Sequence, residues 1–140
     1  MTKWKLDVEG TERWVVVPLR LRGRMGREFL AMVAIDTATP VTIIRTSIAQ
    51  DIDLMADHPD AELSHLTGPT GADDGYSVPA SLVHVFGHHF QDFRVHCHDI
   101  DESLEVDGVV GMDVIRQGRL IMDMPERIVE IYWRTSRSVA

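Results

Sequence analysis

Short apolar runs rich in Val, Ile and Leu recur along this chain and are punctuated by Gly, Pro and Asp, a spacing that predicts strands more than helices. "RWVVVPLRLRG" alternates as a first strand, with Pro18 at an edge or bulge because proline cannot donate to a ladder. "GREFLAMVAID" is its expected hairpin partner across a Gly-rich turn. Further on, "AELSHL" and "YSVPASLVHVF" flank the polar stretch "TGPTGADDGY", which reads as a mobile hairpin tip. "SLVHVFGHHFQDFRVHCHD" predicts another hairpin turning at Gly87 and His88, and "RLIMDM" and "IVEIYW" form a last pair around "PER".

Two stretches break this period. In "RTSIAQDIDLMADHP", Ile48, Ile52 and Leu54 or Met55 recur at roughly helical spacing; Ser47 is the expected N-cap and Pro59 the stop. In "VDGVVGMDVIRQG" an apolar run enters a glycine, and Asp113 is expected to cap a brief helix through "VIRQ" that Gly118 ends. The pattern predicts a mostly β fold with one or two short helices. No repeat, low-complexity tract or shift of composition divides residues 1–140, so one domain is expected.

Composition narrows the function classes. A chain of 140 residues can bury roughly two thirds of its unfolded surface without a staple. Its 44% hydrophobic and 26% charged residues suit a globular protein, and no apolar run approaches the roughly 20 residues of a bilayer span, so no membrane partner is expected. "MTKWKLDVEG" lacks the apolar stretch of a secretory signal and Cys97 is the single cysteine, which together lead us to expect a cytoplasmic protein. A net charge of −8 argues against nucleic acid as a partner; the arginines of "RLRGRMGR" fall in a turn and read as solvated.

The candidate chemistry starts at Asp36, alone among small hydroxylated residues in "AIDTATPVTII". An ionised carboxylate at a buried strand end is costly unless it is hydrogen-bonded, so Asp36 is either a solvated turn residue or a group kept for chemistry. Taken with "DGVVGMDVI" later in the chain and "RLIMDMPERIVEI" near its end, this stretch resembles the retropepsin-like aspartic proteases, over a core of about residues 13–133. The resemblance implies a single-domain acid-protease barrel closed by homodimerisation. It makes Asp36 the catalytic aspartate and Thr37 the residue whose hydroxyl braces paired active-site loops. Ala38 and Thr39 complete the loop, and Val110, Gly111 and Met112 belong to the element crossing behind it. Ala38 departs from the family's glycine, adding a methyl where space is tight and restricting positive φ.

The same resemblance places a flap at Gly68, Thr70, Gly71, Ala72 and Asp73, with Asp73 and Asp74 read as solvating its tip. Peptide hydrolysis by this route needs two carboxylates sharing a proton, and the motif supplies one per chain, so a two-fold partner is implied. Residues 3–7 and 128–133 are expected to pair across that axis, with Trp4 and Trp133 as anchors. The implied activity is aspartic endopeptidase on a peptide or protein substrate, with no cofactor. Two alternatives stay open: a peptide-binding module of the same fold without turnover, and a β-rich assembly module in which Asp36 is only a turn residue. His84, His88, His89, His96 and His98 crowd around Cys97, but on a strand His96 and His98 face one way and Cys97 the other, so no metal site is expected. These are read as exposed hairpin histidines beside a packed cysteine. Asp107 is expected in a turn.

Overall fold

The computed structural model describes residues 2–7, 14–68 and 71–134. Along them run β1 (Thr2–Asp7), β2 (Val16–Arg22), β3 (Glu28–Ile35), β4 (Ile43–Arg45), α1 (Thr46–Asp51), β5 (Glu62–Gly68) and β6 (Gly71–Val85). They are followed by β7 (His88–His98), β8 (Gly108–Val110), α2 (Met112–Ile115), β9 (Gly118–Asp123) and β10 (Ile128–Trp133).

Strands β2, β3, β8, β4, β7 and β6 hydrogen-bond in that order, and β6 returns to β2 from Leu19↔Val85 to Arg22↔Leu82, closing a six-stranded barrel. Alternation in β2 turns Val17, Leu19 and Leu21 inward, where they are fully buried with Ala31 and Val33 of β3 and Val83 of β6. Each of the valines and leucines contributes roughly 1.5–3 kcal/mol by leaving water. Pro18 lies just outside the stretch of β2 that pairs with β6, so its missing donor costs that ladder nothing.

The predicted hairpins form, with one shift. The β6–β7 turn is made by Phe86 and Gly87, at φ of 52° and 68°, while His88 already pairs with Val85. A two-residue hairpin turn asks for positive φ at both central positions. Phe86 holds that conformation with its ring 1% exposed, edge-on to Trp4, and its carbonyl accepting from the Trp133 indole at 2.9 Å.

Both short helices are present with different caps. Arg45, not Ser47, is the N-cap of α1, and no side chain bonds there; the helix ends well before Pro59 because the chain turns at Asp53, φ 65°. Gly111, not Asp113, precedes α2, and Asp113 lies inside the first turn.

Strands β1 and β10 pair with each other, from Thr2↔Trp133 to Asp7↔Ile128, and β9 completes a separate three-stranded sheet. This corrects the expectation that they pair across a two-fold axis. Within the chain Trp4, half-buried, and Trp133, buried, pack around Phe86.

Candidate active site

Strand β3 ends at the candidate aspartate, and β8 fixes that end. Val33↔Gly108 to Ile35↔Val110 pair in parallel, and the Asp36 N–H continues the ladder to the Val110 carbonyl at 3.0 Å. On its other edge β8 pairs antiparallel with β4, so it is wedged between the strands that enter and leave the loop at residues 36–42. The loop then captures the start of α2: Met112 N–H reaches the Thr39 carbonyl at 2.8 Å and Asp113 N–H that of Pro40 at 3.1 Å. Gly111 has to be small here, because a Cβ would stand 2.3 Å from the Val41 carbonyl oxygen. Val110, Gly111 and Met112 thus lie against the loop that carries Asp36.

Within the loop the half-buried Asp36 carboxylate is held by its neighbours. Ala38 N–H donates to Oδ1 at 2.9 Å, and the Thr39 hydroxyl donates to Oδ2 at 2.6 Å. Hydrogen bonds to the charged form lessen the cost of keeping a carboxylate at a strand end. Thr37 and Ala38 are exposed, and Ala38 is not among the residues of positive φ, so the expected backbone strain at that alanine is absent.

Two other aspartates are tied down elsewhere. Asp113 accepts from both the N–H (2.9 Å) and the hydroxyl (2.7 Å) of fully buried Thr42, whose oxygen in turn accepts from Gly111 N–H at 3.2 Å. Asp107 is more than a turn residue: its Oδ2 accepts from Met32 N–H at 2.8 Å and its own N–H donates to the Met32 carbonyl at 2.9 Å, prolonging the β3–β8 contact.

Over the loop stands the β5–β6 hairpin, paired down to Thr67↔Ala72 and Gly68↔Gly71; Thr70 lies outside the described residues. A cavity of about 200 Å³ below it is lined by Asp36, Thr39, Leu66, Asp73, His98 and Ile100, among others. Asp73 therefore shares a cleft with Asp36. It does more than solvate the hairpin, since its Oδ2 lies 2.7 Å from Nδ1 of His98, while Asp74 pairs with His65.

Sequence reasoning missed this histidine's surroundings. His98 is 2% exposed, its Nε2 is 2.9 Å from Ser64 Oγ, and the same oxygen is 2.7 Å from His96 Nδ1. His96 and His98 do share a face, opposite buried Cys97, but they are not exposed hairpin histidines; burial lowers the His96 pKa and pushes the Cys97 thiol up to about 12. The alternation of "HCH" was the available signal for the shared face; nothing local marks Ser64. The Asp73–His98–Ser64 order has the distances of a nucleophilic triad, yet Ser64 is 4% exposed and its oxygen already meets two imidazoles, which suits a structural link. Among the described residues no group of His, Cys, Asp and Glu side chains is placed to hold a metal.

No protein-family model matches the sequence, and no curated protein matches it. Solved structures do. The chain is similar to a retropepsin-like aspartic protease from Rickettsia conorii, with 13% identity over 93% of this chain and 98% of that one, at a TM-score of 0.63. It is also similar to EIAV protease in complex with the inhibitor HBY-793, with 15% identity over 76% of this chain and 89% of that one, at a TM-score of 0.57. The closed barrel, the wedged β8 and the overlying hairpin accordingly make up the fold of the retropepsin-like aspartic proteases.

Proposed function

We propose that this protein is an aspartic endopeptidase whose working unit is a homodimer with one Asp36 from each copy. The observation that carries the reading is the Asp36 carboxylate, held by Ala38 N–H and the Thr39 hydroxyl at the floor of a cleft lined with Leu66 and Ile100. In such a site two carboxylates at close range share one proton, because both cannot ionise together. The ionised member takes a proton from water as it attacks, and the protonated member polarises the scissile carbonyl. Asp107 and Asp113 hold Met32 and Thr42, so they do not compete for the second role, and a two-fold copy supplies it. The exposed Thr37 and Ala38 are the part of the loop available to meet that copy. The hairpin carrying Gly68, Gly71, Ala72 and Asp73 covers bound peptide and excludes water.

The test is cleavage of a diverse peptide library between about pH 4 and 7, using wild type and Asp36→Asn, with sedimentation to read association. Cleavage lost in the variant and carried by a dimer is the expected result. Equal cleavage by both proteins would remove Asp36 from the mechanism, and cleavage by a monomer would remove the two-fold site. The departure of Ala38 from the family's glycine permits a second reading, a peptide-holding module of the same fold without turnover. Peptide binding with no cleavage at any of these pH values would select it.

A further inference from the structure

Backbone pairing between β6 and β7 stops at Tyr76↔Cys97. Beyond that point β6 has β5 as its ladder partner, so the hairpin over the cleft peels away from the barrel there. His98 is the next residue of β7, and its ring bridges the gap to Asp73 on β6 and Ser64 on β5. Gly75 makes this approach feasible: a Cβ there would stand 2.8 Å from His98 Nδ1 and 2.1 Å from the Cys97 carbonyl oxygen. We propose that His98 is a positioning residue and that, with Asp73 and Ser64, it forms a clamp, released by protonation, that holds the hairpin over the Asp36 cleft. The clamp's bearing on catalysis rests on the peptidase reading above; its existence does not.

The proton inventory explains the release. With both rings neutral, His98 Nδ1–H donates to Asp73, the Ser64 hydroxyl donates to His98 Nε2, and His96 Nδ1–H donates to Ser64 Oγ. One added proton is accommodated: His98 then donates from both nitrogens, the neutral His96 ring moves its own proton from Nδ1 to Nε2, and the Ser64 hydroxyl turns to donate to the freed His96 Nδ1. A second proton is not, because two imidazolium N–H groups then converge on one oxygen and the hydroxyl hydrogen loses both acceptors. His96 faces Asp113 from α2, Glu62 from β5, and Arg94 and His98 of its own strand, while His98 faces Asp73 from β6 and Ser64 from β5. Burial is the largest influence on His96 and resists its charging, so the second proton enters only below the ordinary imidazole range.

Native-state hydrogen exchange on the full chain, corrected for the intrinsic pH dependence of amide exchange, tests this at about pH 7.5 and about pH 5. In the wild type, amides of residues 62–67 and 72–76 should lose about tenfold in protection at the lower pH, the cost of one charge-assisted hydrogen bond, while those of β2 and β3 hold. His98→Gln, which can meet Ser64 but takes up no proton, should show low hairpin protection at both pH values and no step; Ser64→Ala should also abolish the step. A wild type without the step, or a step that survives both substitutions, overturns the clamp. For any peptide the wild type cleaves, His98→Gln should raise KM with kcat little changed, and a fall in kcat at constant KM overturns the positioning role. Absence of cleavage by the wild type counts against the peptidase reading alone, because the exchange step is read without turnover.

Discussion

Thr42 and Asp113 are 71 residues apart in sequence, yet one carboxylate takes both the N–H and the hydroxyl of the buried threonine, at 2.9 and 2.7 Å. The pair fastens the chain leaving the Asp36 loop to the helix that crosses behind it. Asp113→Asn would aim an amide N–H₂ at one of these donors, leaving a buried polar group unsatisfied, which costs about 1–3 kcal/mol. The urea midpoint should fall by the corresponding amount. An unchanged midpoint would mean that the contact does not hold the loop.

The hydroxyl of Thr39, 2.6 Å from Asp36 Oδ2, orients the carboxylate from within the chain. Thr39→Val keeps the branched shape and removes the donor, so kcat/KM on a cleaved peptide should drop about tenfold, the worth of one hydrogen bond to a charged group. Thr39→Ser should retain most of the rate. Equal losses in both variants would assign the effect to packing instead.

Ala38 is exposed and free of positive φ, so glycine at this position relieves nothing inside one chain. Ala38→Gly should lower the stability of the isolated fold by roughly 0.5–1 kcal/mol through chain entropy. On the dimer reading proposed above, in which the exposed Ala38 meets the second loop, a modest rise in cleavage is expected alongside. Thermal melts and peptide turnover measured on the same preparation separate the two effects, and turnover that does not rise shows that the methyl is not crowding the paired loops.

Stability should decline on acidification through the imidazole range. Burial lowers the folded-state pKa of His96 from its ordinary value of 6.5, so the unfolded chain binds the proton first. The stabilising difference is present in full above about pH 6.5 and is lost as pH falls toward the depressed folded value. The half-buried His84 is also depressed, mainly by burial, and acts in the same direction. Denaturation midpoints between about pH 8 and 5 should show a shallower slope in His96→Asn than in the wild type; parallel slopes would exclude His96 as the source.

Much of the fold was legible along the chain because its signals are local. The alternation of "RWVVVPLRLRG" and "GREFLAMVAID" predicts β2 and β3, and the positive-φ need of a tight turn places the β6–β7 reversal within a residue of where it occurs. Asp36 stood out because a lone carboxylate between apolar runs is physically unusual, and "GVVG" marked the element that lies behind it. Helix caps were less legible. Ser47 and Asp113 are residue types that cap well, but α1 starts straight out of β4, and Asp113 is drawn to Thr42 by a contact that no local window contains.

By itself, then, the order of residues determined which segments became strands, where the chain reversed and which carboxylate stood apart, since each depends on neighbours a few positions away. Only the tertiary structure decided the rest. It joined β1 to β10 within the chain, where apolar pattern alone could not distinguish pairing in one molecule from pairing between two, because the ladder is the same in both. It also brought Asp73 and Ser64 to His98, across 25 and 34 residues. Hydrogen bonds between distant polar side chains leave no period in a sequence; closure of the barrel buries His98 beside a hairpin that leaves the sheet, and an imidazole buried there must find its partners across the gap.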